Sequence, residues 1–213
     1  MKYWVFSILT ALIGYFFGSL STRILASRLV FRSNLRRLGK PEFFLPNFYR
    51  VYGVKGFIKL ALVEFVKDAI PVLLGGLLFS GGENTVVGRA LAAFCVVLGR
   101  LYPLMYEFRG SYASAAIGFC LLFISPSVGL IALIVTVTVM LLTRYVSLAS
   151  LAGALALAAA SILTVNGLAL RLCLFMAALV IVRCVPGILR IRTKTEPRLS
   201  LRKDISYKFD ERF

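Results

Sequence analysis

The chain has no histidine among its 213 residues. That removes the commonest general base near neutral pH and the commonest metal ligand, and no metal or cofactor is expected. Cys95, Cys120, Cys173 and Cys184 form no Cys-x-x-Cys pair, and each lies in or at the end of an apolar segment. They read as small core residues and not as a disulfide frame or metal site. Acidic residues are scarce too: nine stand against 25 lysines and arginines, a net charge of +16.

Apolar residues are abundant. The chain is 60% hydrophobic with a mean hydropathy of +0.88, whereas a soluble domain is usually about 45–50% apolar. Several runs approach the roughly 18 residues that mark a membrane span. The fold class is therefore an all-α integral membrane protein, a bundle of about seven transmembrane helices. Basic residues of such proteins gather in cytoplasmic loops, which accounts for the net charge without nucleic acid. The alternating spans also leave no basic domain free to dock a duplex.

The spans are placed at residues 3–20, 58–79, 86–106, 111–124, 128–143, about 148–165 and 168–189. Ser125-Pro-Ser127 and Asn166-Gly167 are turn formers between them. With the N-terminus outside and the C-terminus cytoplasmic, the inner segments hold eight basic residues in 21–57, two in 100–112, Arg144 and eight from Arg190 on. That is nineteen of the 25, while the three outer turns carry one charged residue, Glu83. Gly18-Ser-Leu-Ser21 is a poor cleavage site, so the first span reads as a retained helix. Residues 1–192 form the membrane domain with a basic cytoplasmic loop at 21–57, and 193–213 form a charged cytoplasmic tail. The tail either attaches to anionic lipid headgroups or serves as a solvated topology signal.

Two places could carry chemistry. Glu64, Lys67 and Asp68 share one face of the second span with Leu60 and Pro71. Charges within a span face the bundle interior and either pair or serve function, and both readings stay open here. The 21–57 loop combines eight basic residues with Phe43-Phe-Leu45, Pro46-Asn47 and Phe48-Tyr49. Its Arg50 suits bidentate phosphate binding. A plain topology loop explains the arginines but not the aromatic and proline content.

From about Gly14 to Arg192 the chain resembles the bacterial acyl-phosphate:glycerol-3-phosphate acyltransferases of the PlsY type, seven-span enzymes of the inner membrane. Gly18-Ser19 matches the family's Gly-Ser at the end of its first span. Leu35-Arg-x-x-Gly39 and Asn47-x-x-Arg50 match the outer parts of its LRxxGSGNxGATNxxR. Glu64-x-x-Lys67 with Ile70-Pro71 is similar to DxxKGxxP. Gly99-x-x-Tyr102-Pro103 and Phe108-Arg109-Gly110 are similar to GHxYPxxxxFKGGKG. Ser125-Pro-Ser-Val128 and Arg144-Tyr-Val-Ser-Leu-Ala-Ser150 match closely, and Arg183-Cys184 with Arg190 resembles RHRENxxR. The order, spacing and span positions of these fragments carry the resemblance together.

The departures fall inside the motifs. Lys40-Pro-Glu-Phe-Phe44 replaces Ser-Gly-Asn-x-Gly, exchanging a glycine nest able to wrap phosphate for a proline and bulky aromatics. Ser111-Tyr-Ala replaces the Gly-Gly-Lys-Gly after the Phe-Lys. Arg100 and Cys184 stand for the two histidines, and Pro186 and Gly187 for the glutamate and asparagine of the last motif. The resemblance implies direct attack of the glycerol-3-phosphate hydroxyl on an acyl-phosphate, with no acyl-enzyme. It implies a phosphate or substrate site from Gly39, Lys40, Asn47, Arg50, Lys67 and Arg109. Ser19, Glu64, Asp68, Arg144 and Ser147 would support it, and no catalytic residue is assigned. Acyl transfer is expected to be weak or lost. The alternatives are an inactive paralogue that binds lipid or a partner protein, and a small transporter. The expected partners are membrane lipids, with acyl-phosphate and glycerol-3-phosphate if the protein is active, and the expected location is the bacterial cytoplasmic membrane.

Overall fold

The computed structural model describes residues 2–26, 30, 44–80, 83–104 and 114–195. They form α1 (Lys2–Ser19), α2 (Thr22–Ala26), α3 (Phe44–Leu78), α4 (Glu83–Leu101), α5 (Ser114–Ile124), α6 (Pro126–Thr143), α7 (Val146–Thr164) and α8 (Gly167–Arg192). All but α2 have eleven residues or more, which gives the expected bundle of seven long helices. By length and composition alone α4, α6, α7 and α8 can cross a membrane. α3 is more heavily charged, yet Val54, Ile58, Leu62, Val66, Ile70, Leu73 and Leu77 are all exposed along it. Their three- and four-residue spacing makes one continuous apolar stripe facing lipid, which leaves the charges to the opposite face.

α4 is the central helix, in contact with α1, α3, α5 and α8. Its Val96, Val97 and Leu101 are fully buried in a core shared with Leu121, Leu157 and Met176. Water drives no helix association inside a bilayer, so close backbone approach has to supply it. Gly14 and Gly18, four apart on α1, provide that approach. A Cβ on Gly14 would sit 2.8 Å from the Ala92 carbonyl oxygen, and one on Gly18 would run into that of Val96. Gly99 of α4 answers them, with Tyr15 O and Ser19 N pressed against its own missing Cβ. The Tyr15 hydroxyl then donates to Tyr102 O at 2.7 Å and ties α1 to the end of α4.

Two helix limits differ from the sequence reading. α4 stops at Leu101, where a span to residue 106 is expected. Tyr102 precedes Pro103, and the residue before a proline is pushed out of the helical region. α3 starts at Phe44 instead of near Ile58, and Thr22–Ala26 is helical as well, so the expected 21–57 loop contains two helical stretches. Pro46 falls in the first turn of α3, where its missing N–H costs nothing. Gly53, at φ 63 and ψ −162, breaks α3 into two stretches.

Aromatic burial holds the first of those stretches in place. Phe48 stacks on Tyr52 at 4.8 Å and is fully buried beside Ala26 and Leu60. Tyr49 meets Phe57 edge-on across the break at 6.1 Å and packs against Met140 of α6 and Ala149 of α7. The short turns follow the expected chemistry. Ser125 is extended with Pro126 opening α6, and Asn166 precedes Gly167, which takes φ 64.

Candidate functional site

The charged face of α3 points at the ends of α1 and α4. Four ionisable side chains and one hydroxyl meet there, all buried: Glu64, Lys67, Asp68, Arg100 and Thr22. The Lys67 Nζ donates to the Leu20 carbonyl and to Thr22 Oγ1, both at 3.2 Å, and lies 3.4 Å from Asp68 Oδ1. Of the three N–H donors of an ammonium, two make these hydrogen bonds, and Asp68 Oδ1 faces the charge as an ion contact. Arg100 reaches in from α4. Its Nη1 donates to Asp68 Oδ2 at 3.1 Å, its Nη2 to Thr22 Oγ1 at 3.2 Å, and Nη2 also pairs with Glu64 Oε1.

Local structure dictates this arrangement. Glu64, Lys67 and Asp68 share a face because they are three and four residues apart on a helix. Arg100 is in the last turn of α4, level with the end of α1, because the glycine contacts bring those helices together. Thr22 opens α2 immediately after α1 ends, so its hydroxyl sits between the two cations. The cluster holds two carboxylates and two cations, and its formal charge is zero. A buried charge without a partner is costly, and each of these four has one.

Sequence reasoning placed Glu64, Lys67 and Asp68 together, and they are together. It did not place Arg100 or Thr22 with them. A signal for Arg100 existed: those three residues sum to −1 inside a span, which calls for one more cation. Thr22 gave no signal, since its part depends on where α1 ends in space. Ser19 is buried, and its Oγ donates to Phe16 O of its own helix at 2.8 Å. Arg144 is exposed at the α6–α7 turn in the left-handed conformation, φ 61, with its N–H donating to Met140 O. Ser147 is buried in the first turn of α7. Asn47 and Arg50 lie on α3, but their side chains fall outside the described residues, as do Gly39, Lys40 and Arg109 altogether.

The model of the family described as glycerol-3-phosphate acyltransferase matches residues 8–194. The glycerol-3-phosphate acyltransferase of Thermoanaerobacter pseudethanolicus is 30% identical over 202 residues, covering 94% of this chain and all of that protein. Glycerol-3-phosphate acyltransferase 2 of Bacillus anthracis is 29% identical, with 91% of this chain and 99% of that one covered. Among solved structures, the crystal structure of PlsY (YgiH), an integral membrane glycerol 3-phosphate acyltransferase in its glycerol 3-phosphate form, superposes with a TM-score of 0.73. It is 25% identical, with 91% of this chain and 96% of that one covered. The match runs through every helix described above, and the chain is a multi-pass membrane protein that belongs to the glycerol-3-phosphate acyltransferase family.

Proposed function

We propose that this protein is a divergent acyltransferase of the bacterial cytoplasmic membrane, N-terminus outside and C-terminus inside, in which acyl transfer from acyl-phosphate to the sn-1 hydroxyl of glycerol-3-phosphate is weak or lost. One observation carries the reading: Lys67, the expected phosphate ligand, makes two hydrogen bonds and an ion contact with Asp68 inside a charge-neutral cluster. Binding a phosphate dianion needs net positive charge, and the described cluster of two cations and two carboxylates offers none in surplus.

In the transfer the acceptor oxygen attacks the acyl carbonyl, the bond from the acyl carbon to the phosphate oxygen breaks, and phosphate leaves. Charge builds on the carbonyl oxygen and on the departing phosphate, and preorganised donors facing that charge supply much of the rate. The attacking hydroxyl must also lose a proton. With no histidine in the chain, the buried carboxylates are the alternative bases nearby, and both are already paired with Arg100.

Phosphate release from purified protein, with acyl-phosphates of varied chain length and glycerol-3-phosphate, tests this. The expected rate lies about 10²–10³ below that of an intact family member. Release at an ordinary enzymatic rate of about 1–10³ s⁻¹, abolished by Arg50→Ala, sinks the reading. No release with any donor leaves the inactive lipid- or partner-binding member.

A further inference from the structure

Asp68 touches both cations of the cluster. Its Oδ1 lies 3.4 Å from Lys67 Nζ and its Oδ2 3.1 Å from Arg100 Nη1, and its side chain is 0% exposed. Oδ1 accepts no hydrogen bond among the described residues, so the ion contact with Lys67 is its only interaction. Lys67 and Arg100 also share Thr22 Oγ1, each at 3.2 Å. Two cations and a hydroxyl thus converge, and the two oxygens of one anion bridge the cations. Anionic phosphate oxygens are bound in this way, spread over several charged donors. Here the chain itself supplies the anion.

The family pattern Asp-x-x-Lys-Gly-x-x-Pro puts glycine where Asp68 stands, and Gly-His-x-Tyr-Pro puts histidine where Arg100 stands. Both positions have changed, with opposite charge, and the two new side chains are bonded to each other. Without Arg100 the described cluster would carry −1, and without Asp68 it would carry +1. The pair keeps it neutral. A dianion added to the neutral cluster would leave a buried charge of −2, whereas with Asp68 neutralised the same dianion would leave −1.

We propose that Asp68 occupies a latent phosphomonoester site bounded by Lys67, Arg100 and Thr22, and that it sets anion specificity by excluding the dianion. The proposal rests on the reading that glycerol-3-phosphate is poorly used, and it names the residue responsible. The test is calorimetric titration of the detergent-purified full chain with inorganic phosphate and with glycerol-3-phosphate, for wild type and Asp68→Asn. Asparagine keeps the size of the side chain and an oxygen for Arg100. Asp68→Asn is expected to bind both anions at least about tenfold more tightly than wild type, and adding Lys67→Ala is expected to remove the gain. Equal affinities overturn the proposal, as does a gain that survives Lys67→Ala.

Should Asp68→Asn fail to fold, Asp68→Gly removes the carboxylate outright and, like Asp68→Asn, leaves the cluster of Glu64, Lys67 and Arg100 at +1. The same gain is expected, and its absence overturns the proposal. Wild type that itself binds inorganic phosphate with Kd below about 1 mM overturns it with no variant at all. These titrations use no acyl donor. Fast turnover by wild type would therefore sink the proposed function, and unchanged phosphate affinity would sink only the role of Asp68.

Discussion

Asp68 of α3 and Arg100 of α4 are joined by a hydrogen-bonded ion pair of 3.1 Å between Oδ2 and Nη1. Both are buried, and the bond crosses between two packed helices. Asp68 also contacts Lys67 and Arg100 also pairs with Glu64, so removing either partner alone leaves the buried cluster with one unbalanced charge; breaking a buried pair typically costs about 3–5 kcal/mol. Asp68→Leu and Arg100→Met are each expected to lower the thermal midpoint in detergent sharply. The double variant strands neither member of the pair, so its loss should fall short of the summed single losses by about 0.5–3 kcal/mol. Additive losses would show that the two residues are not coupled.

Thr22 holds two cations with one oxygen, at 3.2 Å from Lys67 Nζ and 3.2 Å from Arg100 Nη2. Hydrogen bonds to charged groups contribute about 1.5–3 kcal/mol. Thr22→Val keeps the shape and deletes the acceptor, so it should destabilise by an amount in that range. Thr22→Ser restores the hydroxyl and should stay close to wild type in the same thermal assay. If Val and Ser behave alike, packing accounts for the position and the hydroxyl does not.

Two glycines are required for different reasons, and substitution separates them. Gly18 faces the Val96 carbonyl with no room for a Cβ, so Gly18→Ala forces α1 off α4 at an overpacking cost of about 1–3 kcal/mol. Gly167 has nothing within 4 Å of its missing Cβ, and its φ is +64. Only backbone conformation restricts it. Asparagine, which tolerates that region, is expected to be nearly neutral there, whereas Gly167→Val should cost about 1–2 kcal/mol. Thermal midpoints of the three variants check the contrast.

What was legible in the sequence follows from the range of the forces involved. Long apolar runs and turn formers such as Ser125-Pro126 and Asn166-Gly167 act within a few residues, and they mark the spans and most of their ends. The helical spacing of Glu64, Lys67 and Asp68 is local too, so their shared face could be read directly. The start of α3 could not. Phe44 to Tyr52 becomes helical alongside the burial of Phe48 against Ala26 and Leu60, and of Tyr49 against Met140 and Ala149, contacts between residues far apart in the chain. The same holds for Thr22 and Arg100, which enter the site only because α1 and α4 pack glycine to backbone. Charge balance could have pointed to Arg100, but no local pattern points to Thr22.

The orientation of the bundle can be checked with thiol labelling, because the native cysteines are silent. Cys95, Cys120, Cys173 and Cys184 are all free and buried, so a membrane-impermeant maleimide should not modify the folded wild type. Arg144 and Asn166 are exposed at opposite ends of α7. In the proposed orientation Arg144 lies on the cytoplasmic side and Asn166 outside. In intact cells opened only at the outer membrane, Asn166→Cys should be labelled and Arg144→Cys should not. In inside-out vesicles the pattern should reverse, and Thr195→Cys, exposed just beyond α8, should label together with Arg144→Cys. Leu20 follows the C-terminal end of α1, Thr22 opens α2 directly after it and Arg100 is in the last turn of α4, the side that carries Arg144 in an alternating bundle. The same result would therefore put the charged cluster within reach of soluble cytoplasmic phosphates. Labelling of Asn166→Cys from the cytoplasm would invert the bundle and leave the cluster facing away from any such acceptor.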